Sequence, residues 1–266
     1  MSTAVTKEGF GEQQDQAPED QAKRPRALPP LPDGATPPEG AIVGRSLSQF
    51  KWVDAKVVPA GAAPETPNIV QVAPGIFKCF IRIGRGWHDG NLRADRQSHK
   101  GRAEMTSMGG DKPFKLGQTW EIGATTLFPP EFSITKSFCQ ISQMVAHQSY
   151  FNMNKTTATT VSGGVFVFEK GLGSESKLVR SVSVKKNEWF TWVVRIKFGK
   201  KGSYEVSING DEFRGMECDT SIGHIHMDQV GPVKEFGYTF GLYFVADGPP
   251  REVAVYHALP FIRRVK

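Results

Sequence analysis

From Trp189 to Phe198 the large apolar side chains Trp192, Val194, Ile196 and Phe198 recur at every second position, with Thr191, Val193, Arg195 and Lys197 between them. A period of two is the repeat of a β-strand buried on one face, and no helix satisfies it. Strand-like stretches and turn signals then alternate along most of the chain. Phe77–Ile83 reads as a first long strand, and Thr119–Phe128 as a second, closed by Pro129-Pro130. Phe138–His147, Gly164–Glu169 and Leu178–Val184 follow. Tyr204–Ile208 runs into Asn209-Gly210, a strong short-range hairpin signal. Tyr238–Val245 and Glu252–Ile262 complete the set, separated by Asp247-Gly248-Pro249-Pro250. About ten strands with no amphipathic helix between them predict antiparallel sheets packed face to face. No internal repeat is visible.

The N-terminal part has another character. Eleven of the 18 prolines precede residue 75, with Pro29-Pro30 and Pro37-Pro38 among them. Such a stretch makes neither helix nor central strand. Residues 1–49 are therefore expected to form a disordered or extended arm, and residues 50–266 a single all-β domain. The arm carries five Lys/Arg against seven Asp/Glu, a net −2, and the remainder 28 against 20, a net +8. A basic domain favours anionic partners. Its Lys and Arg are scattered across strands and loops without interleaved aromatics, which argues against nucleic acid. No run reaches the length of a membrane span, and no signal peptide pattern opens the chain. Cys79, Cys139 and Cys218 are far apart and lack CxxC spacing, so all three are expected to be small core residues rather than disulfide or zinc ligands.

Polar side chains of chemical use sit at alternate positions within three of the strands. Arg102 and Glu104 are two apart; Gln143 and His147 are four apart; Tyr243 faces away from Phe240, Leu242 and Phe244. If these faces line one groove, it holds a cation, an amide, an imidazole and a phenol. Upstream, Arg96, His99 and Lys100 offer further donors, and the glycine-rich stretch Gly84–Gly90 carries Trp87, which suits stacking on a sugar ring. That stretch lacks the Lys-Ser/Thr of a phosphate loop. The spacing His224-Ile225-His226-Met227-Asp228 is weak as a metal motif, and no metal site is assigned.

The order of these features resembles the polysaccharide lyases with a concanavalin A-like β-jelly roll, the group of heparin lyase I, glucuronan lyase and the alginate lyases. The resemblance spans roughly residues 77–264. It rests on Arg102-Ala103-Glu104, the aromatic strand Trp120–Pro130, the Gln-centred strand ending in His147, Glu188-Trp189-Phe190, the Asn209-Gly210 hairpin and Gly241-Leu242-Tyr243. Val145 stands where the family commonly has His, two after Gln, and Thr239 stands where it often has Lys, two before Gly.

The resemblance implies β-elimination on a uronate-containing polysaccharide, as in an exopolysaccharide depolymerase. Arg102 and Gln143 would stabilise the substrate carboxylate, and His147 and Tyr243 would divide the roles of base and acid. Glu104 would orient Arg102, while Arg96, His99, Lys100 and Trp87 would hold neighbouring sugars. No organic cofactor is implied, though a structural calcium ion is compatible with the fold. The expected partner is an acidic polysaccharide, with neither nucleic acid nor membrane, and the arm would attach to a partner subunit or larger assembly. An extracellular or virion-associated location follows from that picture. The alternative is a non-catalytic carbohydrate-binding or virion structural jelly roll. A glycoside hydrolase ranks below it, because none of the strands expected above carries the Glu-x-Asp or Glu-x-Glu pair of jelly-roll glucanases.

Overall fold

The computed structural model describes residues 27–54, 69–83, 100–106, 108, 113–134, 139–144, 149–168, 176–226, 229–233, 235–245 and 251–265. Its strands, in chain order, begin with β1 (Ile42–Val43), β2 (Lys51–Asp54), β3 (Ile69–Ala73), β4 (Ile76–Ile83), β5 (Lys100–Thr106) and β6 (Phe114–Lys115). There follow β7 (Thr119–Leu127), β8 (Cys139–Met144), β9 (Ser149–Thr156), β10 (Thr160–Phe168), β11 (Ser176–Lys185), β12 (Trp189–Lys197) and β13 (Gly202–Ile208). The last are β14 (Arg214–Cys218), β15 (Ile222–His226), β16 (Gln229–Pro232), β17 (Glu235–Phe236), β18 (Tyr238–Val245) and β19 (Arg251–Val265).

Two antiparallel sheets carry the fold. One runs β14-β13-β12-β7-β19-β4-β3, with β1 also paired to β19; the other runs β11-β10-β9-β8-β18-β5-β2. Late strands lie between early ones, β19 between β7 and β4 and β18 between β8 and β5. This is the interleaved winding of a jelly roll, and it brings residues some 100 positions apart into one sheet. The expected all-β sandwich is what the chain forms.

The core is the sum of the inward alternations. In β12, Trp192, Val194 and Ile196 are at most 1% exposed. The Trp192 ring meets Phe151 edge-on at 5.6 Å and lies 6.0 Å from Phe240 of the opposite sheet. Burying each such side chain contributes roughly 1.5–3 kcal/mol. Cys79 and Cys139 are core thiols as expected, whereas Cys218 lies only partly buried on β14. Burial alone pushes the Cys139 thiol well above its ordinary range.

Three local expectations are refined. Ser149–Thr156 is a strand, β9, that its Ser and Asn residues hide from propensity. The strand expected from Gly164 begins at Thr160 and runs through Gly163 and Gly164. A Cβ on Gly163 would sit 2.0 Å from the Asn152 carbonyl, so a close backbone approach puts glycine inside the strand. Asn209 and Gly210 do take the left-handed turn conformation, with φ of 53° and 76°. The pairing of β13 with β14, however, starts only at Val206 and Arg214. The reason is Asp211, whose carboxylate accepts from the Ile208 N–H at 2.7 Å and from Arg180 Nη1 at 2.9 Å, pinning a longer loop.

The stretch expected as an arm is tied down from residue 29 onwards. The Pro29 carbonyl accepts from Trp189 Nε1 at 2.8 Å, and Ile42 and Val43 pair with Ile262 and Phe261. Phe50 is buried with its ring edge-on to Phe77 at 5.4 Å. Proline lacks an N–H but keeps its carbonyl, so a proline-rich segment still docks by accepting hydrogen bonds. Residues 1–26 lie outside the described part.

Candidate active-site groove

The outward face of the seven-stranded sheet is polar for a reason of register. In β5, Ala103 and Met105 point into the core, leaving Glu104 and Thr106 on the other face. In β18, Tyr238, Phe240 and Leu242 are core, which puts Thr239 and Tyr243 outward. In β9, Phe151 and Met153 are core, so Tyr150 and Asn152 face outward.

Cross-strand pairing then assembles two rows on this face. The first runs from Arg102 on β5 to Tyr243 on β18, Gln140 on β8, Asn152 on β9, Gly164 on β10 and Ser181 on β11. The second runs from Thr106 to Thr239, Gln143, Tyr150, Phe166 and Leu178. Glu104 lies between the rows, opposite Gly241.

At the centre, Glu104 is 2% exposed and its Oε1 accepts from Gln143 Nε2 at 2.9 Å and from Thr239 Oγ1 at 3.0 Å. A carboxylate accepts only, so this bond fixes the Gln143 amide with its NH2 toward Glu104 and its carbonyl turned away. Gln143 Oε1 is buried and has no hydrogen-bond partner among the described residues; the same holds for Gln140 Oε1. Buried polar atoms are nearly always satisfied, so two unmet acceptors on one sheet face point to a missing donor. Asn152 is oriented by the Cys139 N–H, which donates to its Oδ1 at 2.8 Å.

Of the residues singled out in the sequence, Glu104, Gln143 and Tyr243 share this face with the backbone position of Arg102. Tyr243 is 8% exposed and lies opposite Arg102 in the pairing. Lys100 opens β5, opposite Val245. Trp87, Arg96, His99 and His147 lie outside the described residues. Thr239, at the position of the family's lysine, donates its hydroxyl to Glu104 where a cation would have offered charge.

Sequence reasoning missed Gln140. Strict alternation puts Gln140 and Gln143 on opposite faces, but the register slips between Gln140 and Ser142. That bulge turns Ser142 to the buried Tyr238 hydroxyl at 3.0 Å and leaves both glutamines on the groove side. The available signal was positional, because the Arg-x-Glu and Gly-x-Tyr strands set a row and Gln140 falls on it.

A second missed residue lies beneath. His257 on β19 is fully buried; its Nε2 lies 3.0 Å from the Gly241 carbonyl and its Nδ1 lies 3.0 Å from Thr126 Oγ1, which accepts from Trp192 Nε1 at 2.8 Å. Because a carbonyl can only accept, Nε2 carries the proton and Nδ1 accepts from Thr126. Burial lowers the His257 pKa to about 4, keeping the ring neutral. The chain Trp192 to Thr126 to His257 to Gly241 thus crosses the sandwich and ends under the strand that carries Tyr243. Gly241 itself has φ of 154°, and a Cβ there would stand 2.2 Å from the Ala103 carbonyl. A side chain would break the pairing that aligns Tyr243 with Arg102.

No protein-family model matches this sequence, and no curated protein does. Among solved structures, the chain is similar to an alginate lyase from Pseudomonas aeruginosa, with a TM-score of 0.53 and 12% identity, over 83% of this chain and 99% of that one. It is also similar to the family 7 alginate lyase A1-II′ in complex with a GGMG substrate, with a TM-score of 0.51 and 12% identity, over 81% and 90%. A glycoside hydrolase family 131 β-glucanase catalytic domain from Podospora anserina matches at 0.46 and 14%, over 71% of each chain. The two alginate lyases establish the architecture: the chain has the β-jelly roll of the alginate-lyase type of polysaccharide lyase.

Proposed function

We propose that this protein is a polysaccharide lyase that cleaves a uronate-containing polysaccharide by β-elimination, as an exopolysaccharide depolymerase would. The observation that carries the reading is the row Arg102, Tyr243, Gln140 across β5, β18 and β8, beside the Glu104–Gln143–Thr239 cluster. In the reaction a base removes the proton at C5, next to the carboxyl. The electron pair forms the C4–C5 double bond, the C4–O bond breaks, and the leaving oxygen takes a proton. The difficulty is negative charge growing on the carboxyl, and fixed donors are the remedy. Arg102 takes that task in our reading, joined by the N–H of the Gln143 amide that Glu104 does not hold. Tyr243 serves as the proton donor to the leaving oxygen, and as the base too unless His147 takes that part. Glu104 acts as a positioning residue for Gln143.

One observation favours a second reading, a glycan-binding domain without chemistry. Thr239 supplies a hydroxyl where a cation would help hold the carboxylate, so the described floor is poorer in positive charge than the reaction prefers. A hydrolase would need two carboxylates placed across the scissile bond. Among the described residues of the two rows and the position between them, Glu104 is the only carboxylate.

Ultraviolet absorbance decides between these readings. Incubation with alginate, glucuronan, heparin-type glycans and bacterial exopolysaccharides should produce the absorbance of an unsaturated uronate on at least one. Tyr243→Phe should lower that rate by about 10²–10⁴-fold while leaving glycan retention in place. New reducing ends without absorbance would mean hydrolysis. Retention without either product would mean binding alone.

A further inference from the structure

The two rows change character from one end to the other. At the β5 end the face carries the acid Glu104, beside the backbone position of Arg102. Beyond β18, the first row continues as Gln140, Asn152, Gly164 and Ser181 and the second as Gln143, Tyr150, Phe166 and Leu178, without one ionisable acid or base among the eight except the Tyr150 phenol. The first described cation on this side, Lys155, stands one row further along with Ser162 and Ser183. Exposure rises in the same direction. Gln143 is 5% exposed, Tyr150 and Phe166 are half-buried, and Leu178 at the sheet edge is 49% exposed.

Tyr150 and Phe166 stack at 5.5 Å with their planes 15° apart, and Leu178 pairs with Phe166 on the next strand. The three form an apolar shelf that opens toward β11. A shelf of this kind takes the C–H face of a pyranose ring. At its deep end wait the two buried amide carbonyls, Gln143 Oε1 and Gln140 Oε1. A carbonyl oxygen accepts a hydroxyl proton and repels a carboxylate, so both call for a ligand that donates.

We propose that the β8–β11 half of the groove is a subsite for an uncharged pyranose, bound by stacking on Tyr150, Phe166 and Leu178 and by donating hydroxyls to Gln140 and Gln143. It rests on the reading of this face as a glycan site and deepens it by naming the substrate class. The preferred chain is a heteropolysaccharide in which each uronate is flanked by a neutral sugar, in preference to a homopolymer of uronates. A homouronan would lay a second carboxylate over two amide carbonyls and an apolar shelf, with no cation among the eight residues of this half to meet it.

The test compares affinity electrophoresis and ultraviolet absorbance on two classes of polymer. Alginate, glucuronan and polygalacturonate represent the homouronans; hyaluronan, heparosan and gellan represent the mixed chains. The full-length protein should be retained by, and cut, a mixed chain about tenfold better than any homouronan, a gap that matches one lost set of polar contacts. Tyr150→Ala combined with Phe166→Ala should weaken retention by the mixed chain about tenfold. Leu178→Ser, at an exposed position where folding is not at stake, should weaken it by about threefold. A homouronan retained as well as any mixed chain would overturn the assignment, and so would shelf variants that retain the mixed chain like the parent. Retention by neither class overturns it as well. A mixed chain retained through the shelf but never yielding absorbance would sink the lyase reading and leave the subsite standing.

Discussion

The outer faces of the two sheets both carry a row of polar side chains, and they treat them in opposite ways. On the eight-stranded sheet, Glu205, Arg195, Glu121 and Arg263 stand opposite one another across β13, β12, β7 and β19. The Glu121 carboxylate is only 4% exposed, yet both its oxygens are met: Oε1 by Arg195 Nε at 3.1 Å and Nη2 at 2.8 Å, Oε2 by Arg263 Nε at 3.0 Å and Nη2. Arg195 also lies over the Phe213 ring at 3.8 Å. Alternating charges that satisfy one another leave nothing for a ligand. On the seven-stranded sheet each of the two rows holds one buried acceptor without a described partner, Gln140 Oε1 in the first and Gln143 Oε1 in the second. A closed polar row is a structural device, and an open one is where, in the proposed reading, a ligand completes the count.

Between the two faces lies His257, hydrogen-bonded across the core to Gly241, and its loss of neutrality is the largest effect to expect. Its folded pKa of about 4 lies below the unfolded value of 6.5. Between those values the unfolded chain takes up a proton that the native state refuses, so stability falls as pH is lowered from about 6.5 to 4. The gap is worth on the order of 3 kcal/mol. Urea denaturation at pH 7 and pH 4.5 measures it, and His257→Gln should flatten this part of the slope. An unchanged slope in that variant would mean that other groups carry the acid sensitivity.

Next in size, Glu121→Leu should cost about 1–3 kcal/mol, since two arginines lose their partner. Both are about a third exposed, so water recovers part of the loss. The melting temperature should drop while turnover or glycan retention per folded molecule stays at the parent value. Gln140→Leu should do the reverse. It removes an acceptor that the protein itself leaves unmet, so stability should hold within about 0.5 kcal/mol, while glycan retention falls by about tenfold, near 1.4 kcal/mol. If both variants destabilise alike and neither affects the glycan, the distinction between closed and open faces fails.

Much of this contrast was legible in the sequence because it rests on alternation. A period of two separates Trp192 from Arg195 and Leu242 from Tyr243 without any tertiary information, and it predicted the sandwich and the outward placing of Glu104, Gln143 and Tyr243. What escaped were the departures from alternation. The bulge after Gln140 moves that side chain to the groove face and turns Ser142 away, and no local pattern in Cys139-Gln140-Ile141-Ser142-Gln143 announces it. Strand β9 was hidden by Asn152 and Asn154, residues that favour turns in isolation but accept a strand when both neighbours supply the pairing. His257 was unreadable for a different reason. Its role is a hydrogen bond across the sandwich to Gly241, and a contact between strands of opposite sheets leaves no periodic trace.

The N-terminal segment gives the smallest effect and the finest test of how a proline-rich stretch is held. Its composition predicted an arm through residue 49, yet Trp189 Nε1 donates to the Pro29 carbonyl and β1 lies along β19. Trp189→Phe keeps the ring but removes that donor, which should cost about 1 kcal/mol. Such a loss is local, so global unfolding should shift little while the segment opens more often. Limited proteolysis should therefore cut near residues 28–32 several-fold faster in the variant, with the sandwich left intact. Equal cutting rates would mean that the β1–β19 pairing alone holds the segment. The indole bond would then be incidental, and the region before Ile42 would behave as the arm that its prolines suggest.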